Sequence, residues 1–247
     1  MHNVIELKRA SQCFVAAFGL IKQELSDLMQ NVSLLHPQEI KYAQNLEFDR
    51  RKSSYLLGRV AAKKALTVFV GNENIKSYFI DFGIFNFPVI KSFLNHNLQI
   101  SISHCDNIGF AVVFPEEHPL GIDIEKIDAD KIDTIRCQLS FEEINLISIN
   151  KVSPLIGYTM IWTAKEALSK IYKTGLTVNL ELFAISSLEK FGSVYECNFL
   201  HSIQYKAISY YSGGYVCSIV LPKNTTPNLK QLWNSFIALT EEEIICY

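Results

Sequence analysis

Along the chain, apolar positions fall into short runs and alternations divided by polar turn residues, with a few longer stretches of helical spacing. Cys13 to Leu20 reads as a strand, and His36-Pro37-Gln38-Glu39 reads as a helix start. A long helix is predicted from Phe48 to Val70. Gln99 to His104 and Ile108 to Phe114 flank Asp106-Asn107 and read as a β-hairpin with a short turn. From Pro119 a second half is predicted: a strand from Leu120 to Glu125, a helix from Ser140 to Asn150, and a helix from Ile161 to Tyr172. Ser140 stands as N-cap of the first of these helices, with Glu143 three residues on as a capping box. Strands fill the rest, up to a last run from Gly213 to Leu221. Residues 1–118 and 119–247 are the two expected domains.

Composition narrows the class. The 247 residues are 49% hydrophobic and 19% charged, which excludes disorder for most of the chain. With 23 Lys+Arg against 25 Asp+Glu the formal net charge is −2, so a generic nucleic-acid binder is not expected and any anion site is local. No uncharged apolar run reaches the ~18 residues that cross a bilayer. Lys8-Arg9 followed by Cys13 to Ile21 has the first two parts of a signal peptide, but Lys22 and Glu24 follow where a cleavage site belongs. The cysteines at 13, 105, 137, 197, 217 and 246 form neither Cys-x-x-Cys nor a Cys/His cluster. Reduced thiols in a cytoplasmic, monomeric protein are expected.

A faint internal echo runs through the sequence. Ala61-Ala62-Lys63-Lys64-Ala65-Leu66 returns as Thr163-Ala164-Lys165-Glu166-Ala167-Leu168, and Gly109-Phe110-Ala111-Val112 returns as Gly214-Tyr215-Val216-Cys217. Two similar halves would explain both, and their interface would then be the natural ligand cleft.

Gly121-Ile122-Asp123-Ile124-Glu125 carries the most chemistry. Alternation along a strand projects Asp123 and Glu125 together, away from Ile122 and Ile124. Two carboxylates side by side repel unless a cation or hydrogen-bond donors lie between them. With oxygen ligands alone the fitting ion is hard: Mg²⁺, or Mn²⁺. A solvent-facing edge strand whose acids confer solubility is the other reading of the same pattern. Trp162, Glu166 and Lys170 lie one helical stripe apart, at i, i+4 and i+8. Either Glu166 and Lys170 form an ordinary surface pair, or Glu166 completes a three-carboxylate site and Lys170 reaches a phosphate.

The segment from Phe48 to Lys64 holds Arg50, Arg51, Lys52, Arg59, Lys63 and Lys64. Helical geometry gathers Lys52, Arg59 and Lys63 into a band of about 40°, with Tyr55 beside it. This is a solvated basic face or a polyphosphate site. Ser103 and His104, at the end of a strand, are phosphate donors or simply turn residues. Cys105 is not paired with His104 as a nucleophile, since adjacent strand residues face opposite ways.

In their order, Arg51…Gly58-Arg59, Ser101-Ile102-Ser103-His104, Gly121-Ile122-Asp123-Ile124-Glu125 and Trp162-x-x-Lys165-Glu166-Ala167-x-x-Lys170 resemble the 4′-phosphopantetheinyl transferases. The closer likeness is to the enterobactin synthetase component D group. The resemblance implies an α+β fold of two similar halves about a pseudo-twofold axis, with coenzyme A between them. It implies transfer of phosphopantetheine from coenzyme A to a serine of an apo acyl- or peptidyl-carrier protein, releasing 3′,5′-ADP. On the same basis Asp123, Glu125 and Glu166 hold Mg²⁺, Glu166 is the base, and Arg51, Arg59, Ser103 and His104 contact the 3′-phosphate and adenosine side. Lys165 and Lys170 lie near the pyrophosphate. Related sequences often show Lys-Gly-Glu-Pro-x-Trp-Pro where this chain has Phe82-Gly83-Ile84-Phe85-Asn86-Phe87-Pro88, so a basic residue is replaced by Phe82. Lys91, Lys52 and Lys63 are candidates to compensate. A non-catalytic carrier- or acyl-coenzyme A-binding protein of the same fold is the alternative, and the segment from Ile127 to Met160, with Lys131, Arg136 and Lys151, is the expected carrier-docking surface.

Overall fold

The computed structural model describes residues 3–71, 75–92 and 97–241, of Leu176 the backbone only. The chain mixes helices and antiparallel sheets in two compact units, Met1–Pro119 with Thr226–Leu239, and Leu120–Thr225 with Thr240–Tyr247. The second expected domain, 119–247, is therefore interrupted. After the second unit the chain returns, because β12 (Thr226–Asn228) pairs with β1 (Val4–Arg9).

In the first unit β1, β2 (Gln12–Lys22), β5 (Leu98–Cys105) and β6 (Ile108–Pro115) join β12 in the order β12-β1-β2-β6-β5. Helices α1 (Leu25–Gln30), α2 (Pro37–Gln44) and α3 (Asp49–Val70) follow β2, and a separate hairpin pairs β3 (Phe79–Phe82) with β4 (Pro88–Lys91). The α3 helix packs on β2 and β6. Contact is close enough that a Cβ on Gly19 of β2 would stand 2.1 Å from the Ala61 carbonyl oxygen, so only glycine fits there. Leu56, Leu57, Val60 and Leu66 of α3 are fully buried, each contributing about 1.5 to 3 kcal/mol of transfer free energy.

The second unit has the sheet order β7-β11-β10-β9-β8, from β7 (Gly121–Lys126), β8 (Ile185–Phe191), β9 (Val194–Phe199), β10 (Tyr205–Ser212) and β11 (Tyr215–Pro222). Between β7 and β8 come α4 (Ile132–Arg136), α5 (Phe141–Ile149) and α6 (Pro154–Tyr172). The α6 helix lies on β7 and β11, where a Cβ on Gly121 would meet the Ala167 carbonyl oxygen at 1.9 Å. It begins at Pro154, well before the expected Ile161, because proline is preorganised for a first helical turn. The run ending at Leu221 is not the last element either. Beyond it α7 (Lys230–Glu241) buries Leu232, Trp233 and Phe236 at i, i+1 and i+4, an apolar spacing present in the sequence.

Each unit contains the same buried strut. In the first, Lys63 of α3 pairs at 3.0 Å with Glu39 of α2, both fully buried. Glu39 also accepts from His36 N–H at 2.8 Å, closing a capping box, and from Ile80 N–H of β3 at 3.0 Å. In the second, Lys165 of α6 pairs at 2.7 Å with Glu143 of α5, which accepts from Ser140 N–H at 2.8 Å and Ile185 N–H of β8 at 2.9 Å. Lys63 and Lys165 are the matching positions of the sequence echo. Burial corrects the expected basic band on α3: Lys63 is consumed by its strut, and Arg59 is only 5% exposed. Neither is part of a solvated face. Among the described residues no helix is long and apolar enough to cross a membrane.

Removing one charge of a buried pair strands the other, so Lys63→Met should lower the free energy of unfolding by about 3 to 5 kcal/mol. Adding Glu39→Gln removes the second charge yet keeps an acceptor for Ile80 N–H, and should recover a large part of the loss. Urea denaturation of the full double-mutant cycle measures this; a double variant no more stable than Lys63→Met contradicts it.

Candidate active site

The acidic strand and the helical stripe meet inside the second unit. On α6 the neighbours Ile161, Thr163, Ala164, Lys165, Ala167, Leu168 and Ser169 are buried, whereas Trp162, Glu166 and Lys170 are half-buried. These three turn toward β7. Lys170 Nζ donates to Asp123 Oδ1 and to the Ile122 carbonyl oxygen, both at 2.8 Å. The Trp162 indole N–H donates to Glu125. Asp123 itself is 4% exposed, which excludes the reading of β7 as a solvated edge bearing acids for solubility.

A short hydroxyl chain supports this face. Ser218 of β11 stands opposite Asp123 in register and bonds Thr163 Oγ1 of α6 at 2.6 Å and Ser209 Oγ of β10 at 2.7 Å. The helix is thus tied to the sheet by polar contacts directly beside the carboxylate.

The three carboxyl groups act on one another. Burial, then the Asp123 charge, pushes Glu125 up to about 7. Burial, then Asp123, does the same to Glu166, also to about 7, with Glu125 adding to the rise and Lys170 opposing it. Lys170, bonded to Asp123, and Lys131, acting on Glu125, oppose the rise within a cluster that has the capacity for three negative charges. The donor set, all oxygen, suits a hard divalent ion. The side chains do not yet surround such an ion: no group of three or more His, Cys, Asp or Glu stands in metal-holding geometry among the described residues, and the Lys170 ammonium lies against Asp123.

Beside Glu125 and Trp162 opens a cavity of about 720 Å³, floored by Ile135, Leu139, Val178 and Leu180. Lys165 lines its wall. The expectation that Lys165 lies near a pyrophosphate meets a different arrangement here, since its ammonium is bound to Glu143 and is 2% exposed. Adjacent helical positions face apart, so Lys165 cannot share the stripe of Glu166 and Lys170.

The other candidates belong to the first unit. Arg51 is exposed near the start of α3. Arg59 is buried, its guanidinium 4.7 Å from the Tyr55 ring centroid and 4.9 Å from that of Phe82. Ser103 is buried and His104 exposed, on opposite faces of β5, so this strand does not aim both at one point. Lys63 is fully buried against Glu39, which removes it as a replacement for the missing basic residue, whereas Lys91 is bonded to Asp81 in an exposed pair. The role of Trp162 as a donor to Glu125 was hidden in the sequence: its stripe with Glu166 was visible, its partner on β7 was not. Cys13, Cys105, Cys137, Cys197 and Cys217 are free thiols, and Cys246 lies outside the described residues.

Residues 119–220, which hold both β7 and α6, match the family model of the 4′-phosphopantetheinyl transferase superfamily. Among solved structures the chain is similar to a holo-(acyl-carrier-protein) synthase from Bacillus anthracis str. Ames in complex with CoA (3′,5′-ADP). The identity is 22%, over 39% of this chain and 92% of that one, with a TM-score of 0.33. No curated protein matches the chain.

Carboxyl groups raised to about 7 keep their protons in the folded state where the unfolded chain, with an ordinary value near 4.5, has lost them. The folded state then binds more protons, and stability falls as pH rises through that window. In protein free of divalent ions, thermal melts from about pH 5 to about pH 8 should show this decline, and Glu166→Gln should make it shallower. An unchanged slope in the variant contradicts the coupling.

Proposed function

We propose that the protein transfers 4′-phosphopantetheine from coenzyme A to a serine of an apo acyl- or peptidyl-carrier protein, releasing 3′,5′-ADP. The observation that carries this reading is the convergence of Trp162, Glu166 and Lys170 of α6 on Asp123 and Glu125 of β7, within the segment matched by the family model. The motif order along the chain favours the enterobactin synthetase component D group, and free thiols are in keeping with work in the cytoplasm.

Asp123, Glu125 and Glu166 would hold Mg²⁺, which when bound supplies positive charge to the phosphoryl oxygens of the diphosphate. Glu166 is the proposed acceptor of the carrier serine's proton as its oxygen attacks the β-phosphorus. Lys170 donates to Asp123 and to the Ile122 carbonyl, and its ammonium has a third N–H with which it would serve a phosphoryl oxygen of the transferring group. Trp162 fixes the rotamer of Glu125 through its indole N–H. The apolar floor of the adjoining cavity suits the pantetheine arm. Lys165 acts as a positioning residue, through Glu143, on the wall of that cavity. On the outer surface, exposed Arg136 and Lys151 accompany Phe141 and Ile149, which are 79% and 66% exposed, a mixture of charge and apolar area suited to a carrier.

The test is mass spectrometry of assorted apo-carriers incubated with the protein, coenzyme A and Mg²⁺. A gain of about 340 Da on a carrier serine is expected, and Glu166→Gln should slow it by about 100-fold or more. Coenzyme A binding with no transfer to any carrier would favour the non-catalytic alternative; transfer by Glu166→Gln at the wild-type rate would remove Glu166 from the chemistry. Charge reversal at Arg136 and Lys151 should raise the carrier KM and leave coenzyme A binding unchanged, and the opposite result rejects that surface.

A further inference from the structure

Thr163 is fully buried on α6, three residues before Glu166 and seven before Lys170 on the same helical face. Its Oγ1 donates to the Met160 carbonyl oxygen at 3.0 Å, which uses its only proton. At the 2.6 Å contact with Ser218, Thr163 is therefore the acceptor and Ser218 the donor. Ser218, its own proton committed, accepts from Ser209 at 2.7 Å. All three hydroxyl protons point from β10 through β11 toward α6, and each has an acceptor.

The first unit provides an internal control. The echo that aligns Ala61 with Thr163, and Gly109 to Val112 with Gly214 to Cys217, brings Val113 level with Ser218. Strand register extends the correspondence: Ile100 pairs with Val113 as Ser209 does with Ser218, and Ala17 pairs with Val113 as Asp123 does with Ser218. Where the second unit has three hydroxyls beside Asp123, the first has Ala61, Val113 and Ile100 beside Ala17, all buried. Ala61, Val113 and Ile100 belong to one apolar cluster. A helix thus packs on a sheet of this register without any hydroxyl, so the chain accompanies the carboxylate and not the fold.

We propose that Thr163 is a positioning residue: bonded through Ser218 to Ser209, it pins the rotation of α6 about its axis and so sets Glu166 and Trp162 against Asp123 and Glu125. The proposal rests on the divalent-cation reading of the seam and adds the group that holds its geometry. A hydrogen bond weakens steeply with angle, so it resists rotation where apolar contact slides. With its side chains a helix has a radius of about 5 to 6 Å, so a roll of about 15° carries a carboxyl on its surface through about 1.5 Å. A misplacement of about 1 Å is enough to lower the rate at a reacting centre by about 100-fold. Thr163 acts through Glu166 and not on the substrate.

The test removes the whole chain at once, with Thr163→Val, Ser209→Ala and Ser218→Ala together in the full-length protein. No donor is then left stranded, a change close to neutral for stability, and the melting temperature should stay within about 5 °C of the wild type. Calorimetric titration with Mn²⁺ should give a dissociation constant raised by about tenfold or more. Proton NMR should show the Trp162 indole N–H, told from that of Trp233 by Trp233→Phe, exchanging faster with solvent. Thr163→Ser, which keeps the hydroxyl, should match the wild type in all three measurements. Wild-type Mn²⁺ affinity or unchanged indole exchange in the triple variant overturns the proposal. So does a triple variant that fails to fold, which would make the chain part of the fold itself. Wild-type protein that binds no Mn²⁺ overturns the divalent-cation reading instead, and indole exchange alone then decides the pin.

Discussion

Asp123, Glu125 and Glu166 are held within electrostatic reach of one another at a partly buried seam between a strand and a helix, with Lys170 against Asp123. That arrangement opposes itself. Burial raises the cost of every ionised carboxyl, and each charge raises the cost of the next. It persists because the backbone around it leaves no choice: Gly121 lets β7 come within contact of the α6 carbonyls, and the Thr163–Ser218–Ser209 hydroxyls tie α6 to the sheet. Carboxyl groups gathered in this way are suited to receive a positive ion, and we propose that a divalent cation is what the seam is built for.

The struts are a second expression of the same economy. In each unit a lysine on the long helix is buried against the glutamate of a capping box, and that glutamate also holds the first strand after the helix. One carboxylate thereby fixes a helix start, a strand start and a helix face. Such a pair costs desolvation and returns it only when every lone pair is served, as here by two backbone N–H groups and an ammonium. In the second unit both partners of the strut, Glu143 and Lys165, line the cavity beside Glu125 and Trp162 of the acidic seam.

Much of this was legible in local pattern. The strand bearing Asp123 and Glu125, the long helix from 49 to 70, the hairpin around Asp106 and the Ser140–Glu143 cap all follow from period and capping chemistry, which act over a few residues. The stripe of Trp162, Glu166 and Lys170 was visible for the same reason. What escaped depends on distant partners. Lys63 and Lys165 look like surface cations until Glu39 and Glu143 are placed beside them. Phe82 stands where related sequences carry a basic residue, and nothing local shows that its ring lies 4.9 Å from the Arg59 guanidinium. The return of β12 to β1 joins residues at opposite ends of the chain, and nothing local announces it.

The central claim is that the carboxylate seam accepts a hard divalent cation at the position where Lys170 now compensates Asp123. A crystal structure of the protein grown with Mn²⁺ and coenzyme A, with anomalous scattering recorded for manganese, tests it most directly. The predicted result is a single manganese peak shared by the carboxylates of Asp123, Glu125 and Glu166, with the Lys170 ammonium moved off Asp123 toward a phosphoryl oxygen. Bound coenzyme A with no manganese at the seam, and Lys170 still against Asp123, would contradict it.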